Sequence, residues 1–84
     1  MKKKVAIKKG VYKELLDIPK KYQVKILDAL RKLEKGKGDI KKLAPKRYRL
    51  RVGCYRILFK EEDDLLVVYK IVHRQGADRY YDNV

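Results

Sequence analysis

The chain has 84 residues, enough for one domain (residues 1–84) with a single modest core and too few for two. Twenty-four Lys and Arg stand against eleven Asp and Glu, a formal net charge of +13, which argues for nucleic acid, the ribosome or another acidic partner and against a neutral metabolite. No apolar run approaches the ~18 residues of a membrane span, the basic MKKK start leads into no secretion-signal core, and the lone Cys54 has no partner for an internal disulfide or a metal site. A soluble protein of a reducing cytoplasm is therefore expected, without membrane contact.

In chain order, KKVAIK (residues 3–8) can form a short strand with Val5 and Ile7 on one face, ended by Gly10. Val11, Leu15 and Ile18 then recur at spacings of four and three, the pattern of a short amphipathic helix. It must stop near Ile18, because a proline disfavours helical geometry in the residue before it, and Pro19 can open a second helix. There Tyr22, Ile26, Ala29, Leu30 and Leu33 make a continuous apolar stripe, with Lys21, Lys25, Asp28, Lys32 and Lys35 elsewhere on the surface. Gly36 and Gly38 end this helix, and DIKKLAPK (39–46) is expected to be a connection.

RYRLRVGCYRILFK (47–60) alternates twice around Gly53-Cys54. Side chains of a strand point to opposite faces in turn, so Arg47, Arg49 and Arg51 share one face and Tyr48, Leu50 and Val52 the other. A two-residue loop at Gly53-Cys54 sets Val52 opposite Tyr55, Leu50 opposite Ile57 and Tyr48 opposite Phe59 on the apolar side. On the other side it sets Arg51 opposite Arg56 and Arg47 opposite Lys60. Like charges directly opposite on a sheet are destabilising, so folding alone would not select this face, and a polyanion touching it would explain it.

After the acidic turn EEDD, LLVVYKIV (65–72) is apolar almost throughout, as expected of an internal strand covered on both faces. A loop of three or five residues places Val67, Tyr69 and Ile71 in the core and Lys70 and Arg74 on the face of Arg51 and Arg56, whereas four residues would bury Lys70. The odd loop is the expected one. The resulting architecture is α+β, in the order β-α-α-β-β-β: a two-helix hairpin on one face of a largely antiparallel four-stranded sheet whose other face is basic.

YRLRVGCYRILF, the acidic turn, LLVVYKIVHR and a tyrosine six residues later together resemble the RelE branch of the RelE/ParE toxin superfamily, and the preceding helical hairpin is similar too. The likeness spans nearly the whole chain and is densest over residues 48–80. It implies the fold just given and the toxin of a type II toxin–antitoxin system, an endoribonuclease that enters the ribosomal A site and cuts mRNA there. The implied reaction is attack of a ribose 2′-OH on the adjacent phosphate with no metal and no cofactor. The implied partners are the ribosome, mRNA and a cognate RelB-like antitoxin, through which oligomers would mainly form.

Matched to the family pattern, Arg49 and Arg51 are the basic pair of the second strand, Arg56 the arginine after the turn, Arg74 the arginine ending the last strand and Tyr80 the tyrosine near the C-terminus. Arg56 and Arg74 would hold phosphate oxygens, and Tyr80 would stack on a base or position the hydroxyl. Arg47, Lys46 and Lys70 are expected to bind RNA. The family's basic pair is usually lysine, one of which is a plausible proton acceptor, whereas arginine stays protonated. That departure leaves the general base open. His73, the single imidazole of the chain, is a further catalytic candidate, weighed against an ordinary hydrogen-bonded histidine at a strand end. Two other readings accompany the nuclease: a ParE-like inhibitor of DNA gyrase, and a non-catalytic nucleic-acid-binding relative.

Overall fold

A computed structural model describes residues 3–76. Its elements are β1 (Lys4–Ile7), α1 (Lys9–Leu16), α2 (Lys20–Glu34), β2 (Asp39–Ala44), β3 (Arg47–Val52), β4 (Tyr55–Glu62), β5 (Leu65–His73) and a 3₁₀ turn at Arg74–Gly76. They form an α+β fold in which the two helices pack on one face of a mixed five-stranded sheet ordered β1-β5-β4-β3-β2. β1 runs parallel to β5; the other pairings are antiparallel.

The helix stripes form as periodicity dictates. Val11 and Leu15 of α1 and Ile26, Leu30 and Leu33 of α2 are buried against Leu50, Ile57, Phe59, Leu66, Val68 and Ile71 of the sheet. Pro19 caps α2 from outside, with its carbonyl accepting from Tyr22 N at 2.8 Å. Two boundaries shift: Gly10 lies inside the first turn of α1, and that helix closes at Leu16, two residues before Ile18. Gly38, at φ 141°, brings the chain so close to the core that a Cβ there would lie 2.7 Å from Leu50 Cδ1.

The strand count departs from expectation by one. Residues 39–44 are not a connection but the edge strand β2, with Asp39 opposite Arg51, Ile40 opposite Leu50 and Lys41 opposite Arg49, and a bulge between Lys42 and Ala44. Asp39, Lys41 and Lys42 mask the strand pattern, and such charges are what a natural edge strand carries to resist further pairing. A turn at Pro45-Lys46, with Lys46 in the left-handed region (φ 61°), joins it to β3.

The arginine hairpin has the anticipated register at all six pairs, and Gly53 takes the positive φ of 57° that its tight turn needs. β5 is internal, between β1 and β4. Its parity is a correction. The acidic turn is only two residues, Asp63-Asp64, so Leu66 and Val68 face the helices while Val67 lies opposite Lys60. A bulge then leaves Tyr69 out of the ladder and brings Ile71 opposite Ile57. Two loop residues plus one bulged residue restore the odd parity from there on, so Ile71 joins the helix-side core as expected, whereas Val67 is buried on the opposite face and Tyr69 is only partly buried.

Candidate nucleic-acid interface

The alternation of β3 carries Arg47, Arg49 and Arg51 onto the face away from the helices, where register adds Arg56 and Lys60 from β4 and Asp39 and Lys41 from β2. The face divides along its length. At the hairpin end stand Arg49, Arg51, Arg56 and Asp39. The 3₁₀ turn joins them, because Arg74 N donates to Cys54 O at 2.8 Å and so pins the turn to the tip of the hairpin. Arg74 thus follows the last strand rather than belonging to its arginine-facing side, yet it reaches the same end of the sheet.

Asp39, absent from the expected site, flanks it from the edge strand β2. Its Oδ2 accepts from Arg51 Nε at 2.6 Å, and its Oδ1 lies 3.5 Å from Arg49 Nη1. The repulsion expected between Arg51 and Arg56 is thereby partly offset within the chain. Arg49 is the more buried of the two, its side chain 15% exposed against 58% for Arg51. Arg56 folds back so that its Nη1 donates to Gly53 O at 2.8 Å and Tyr55 O at 3.0 Å, which fixes the guanidinium beside the turn. Sequence reasoning missed Asp39 because it missed β2; a single acid just past two glycines carries no signal until the strand places it opposite Arg51.

At the other end, Arg47 lies over the Tyr69 ring, 5.2 Å from its centroid, and burial foremost pushes the Tyr69 phenol up from its ordinary value. Lys60 Nζ holds Glu62 Oε1 at 2.6 Å, and that bond keeps the Glu62 carboxyl below its ordinary value. Lys46 sits in the neighbouring turn, its carbonyl accepting from Glu61 N at 2.9 Å. Lys70 takes its expected register, opposite Leu58 and so on the side of Arg49, and its Nζ bonds Glu14 Oε1 of α1 at 3.1 Å.

His73 stands opposite Tyr55, on the helix side as its register requires, but at the exposed end of the strand. Its ring meets the Tyr55 ring edge-on at 5.7 Å, and Tyr55 in turn meets Tyr22 at 5.4 Å. Nδ1 accepts from Gln75 N at 3.3 Å, which places the proton of a neutral ring on Nε2. Tyr80 lies outside the described residues. Among the described residues no three His, Cys, Asp or Glu side chains could together hold a metal ion, and no helix is long and apolar enough to cross a membrane.

No protein-family model matches the chain. It is 34% identical over 86 residues to RelE1 of Methanocaldococcus jannaschii, a protein named as a candidate toxin, across 92% of this chain and 96% of the relative. The fold is similar to that of an archaeal RelE–RelB complex from Pyrococcus horikoshii (TM-score 0.75, 29% identity, 88% of this chain and 97% of that one). It is also similar to a RelB–RelE antitoxin–toxin complex from Methanococcus jannaschii (TM-score 0.72, 26% identity, 88% and 95%).

Proposed function

The chain belongs to the RelE toxin family, and from that premise we propose that it is the toxin of a toxin–antitoxin pair and acts as a ribosome-dependent endoribonuclease on mRNA in the A site. The observation that carries the reading is that Arg49, Arg51 and Arg56 share one end of the sheet face away from the helices, to which the backbone of Arg74 is pinned. Clustered guanidiniums there suit a phosphodiester whose phosphorane gains charge as it forms.

Cleavage needs the 2′-oxygen in line with the bond to the leaving 5′-oxygen, a proton acceptor, cations for the phosphorane and a proton for the leaving group. Arg56, tethered to its own turn, and Arg74 hold the non-bridging oxygens; Arg49 and Arg51 clamp the phosphate from β3. Arg47 and Lys46 extend the contact along the RNA backbone, and Tyr80 stacks on a base or positions the hydroxyl. The products are a 2′,3′-cyclic phosphate and a 5′-hydroxyl. A RelB-like antitoxin, a separate acidic and apolar chain, covers this face and silences it; the relatives solved as RelE–RelB complexes support that partner.

Inducing the protein in cells and mapping mRNA 5′ ends tests the reading. Cuts phased with codons are expected. Intact mRNA would overturn it, and DNA breaks dependent on gyrase would point instead to the ParE-like activity.

A further inference from the structure

The arginine pair leaves the proposed reaction without an obvious proton acceptor, since a guanidinium cannot deprotonate at neutral pH. His73 Nδ1 is engaged by Gln75 N, which leaves a neutral ring offering a proton at Nε2 rather than a lone pair. A tyrosine phenol is itself protonated near neutrality. Among the described residues of the arginine cluster, the group with both an open lone pair and a place on the reacting face is the Asp39 carboxylate.

We infer that Asp39 is the general base, taking the 2′-hydroxyl proton between Arg49 and Arg51; the inference rests on the nuclease reading above. Three observations support it. Asp39 stands directly opposite Arg51 in the β2–β3 ladder, so its side chain is on the face of the arginines rather than reaching it from a flexible loop. Arg51 contacts Asp39 through Nε, at 2.6 Å, which leaves the Nη edge of that planar fork for a phosphate oxygen. One guanidinium can therefore bridge carboxylate and phosphate, which sets the carboxylate beside the phosphate that a neighbouring 2′-oxygen attacks. Finally, the Asp39 side chain is 46% exposed, open to an incoming ribose.

In the step, the 2′-hydroxyl proton passes to Asp39 as the 2′-oxygen bonds phosphorus. The bond from phosphorus to the 5′-oxygen breaks, and that oxygen takes a proton from water. The Asp39 carboxyl then returns its proton to solvent. Arg49 and Arg51 hold the carboxylate in place and stabilise the phosphorane.

The opposite role makes an opposite prediction: if Asp39 only mimicked a phosphate and screened the arginines, removing it would strengthen RNA binding and quicken cleavage. Single-turnover cleavage by the purified protein on A-site-programmed ribosomes, at saturating ribosome, separates the two. Asp39→Asn keeps size and hydrogen bonding but cannot take the proton. It is expected to slow the chemical step by about 10²- to 10⁴-fold while ribosome affinity holds or tightens. Asp39→Glu, which keeps the carboxylate, is expected to recover part of that loss. A rate for the folded Asn variant within a few-fold of wild type, or above it, overturns the assignment while wild-type cleavage keeps the nuclease reading. Failure of the wild-type protein to cut overturns both. The wild-type pH profile adds a check independent of any variant: a rise through about pH 6 to 7 would assign the proton to histidine and overturn the assignment to Asp39.

Discussion

Arg56 and Arg74 reach the same corner by different means, and substitutions should show it. Arg56 is preorganised by the carbonyls of Gly53 and Tyr55, whereas Arg74 is placed through its backbone bond to Cys54 O. Neither side chain enters the helix-side core, so Arg56→Ala and Arg74→Ala are expected to fold and to lose about 10²- to 10³-fold in single-turnover cleavage, about 3 to 4 kcal/mol of transition-state stabilisation each. Near-wild-type rates from either folded variant would remove that residue from the site. Away from the site, Glu61 offers a titration. It accepts from the Tyr48 hydroxyl and from Lys3 Nζ, and these bonds, the Tyr48 one first, hold its carboxyl below the ordinary value of 4.5. A carboxyl lowered on folding contributes stability above its unfolded pKa and loses it as pH falls through the folded one. Glu61→Gln should therefore cost about 1 kcal/mol at pH 7, and the gap should narrow as pH falls below the ordinary carboxyl value and through the lowered one; denaturant midpoints at pH 7 and in acid test this, and a gap independent of pH would discount the ionic share. Gly38→Ala combines a positive φ with a Cβ driven onto buried Leu50, and a loss of about 1 to 3 kcal/mol should appear in the same melts.

Among the elements, legibility followed the strength of the pattern. β3 and β4 were readable to the residue because two alternating runs flank a glycine that must take positive φ, so one loop length fixes every pair. α2 was readable because five apolar residues share one stripe. β2 was not, since its exposed positions are charged and its core-facing content is little more than Ile40, and Asp39 was lost with it. In β5 two local irregularities compensated, a two-residue turn and a bulge, and neither leaves a mark in a run of apolar residues that are covered on both faces. The other edge strand shows a different protection: Val5 N donates to Glu34 Oε2 at 2.8 Å, so a carboxylate from α2 caps an amide that β5 does not pair. Glu34→Ala should leave that amide exposed on the sheet edge and speed its hydrogen exchange, with Glu34→Gln nearer wild type because its carbonyl can still accept. Unchanged exchange at Val5 in the alanine variant would show that the cap does not protect the edge.

For the whole molecule, the question is whether a net charge of +13 acts diffusely or through one face. A diffuse field would attract ribosomal RNA wherever lysine stands, and α2 is rich in lysine; a focused one requires contacts that release counterions at the arginine face. Two substitutions of equal formal charge separate these. Arg51→Gln removes a cation from the face that Asp39 and Arg49 organise. Lys32→Gln removes one from the solvent side of α2, where Lys32 is 63% exposed and paired only across one helical turn with Asp28 at 3.3 Å. Ribosome binding measured over a range of salt should fall linearly in log–log form, with a slope set by the phosphates neutralised. A contact made by Arg51 contributes about 0.7 to 0.9 to that slope, which Arg51→Gln should remove, while Lys32→Gln should leave it unchanged. Equal reductions by both variants would mean that the arginines work as bulk charge, and the focused face, with the site built on it, would lose its basis.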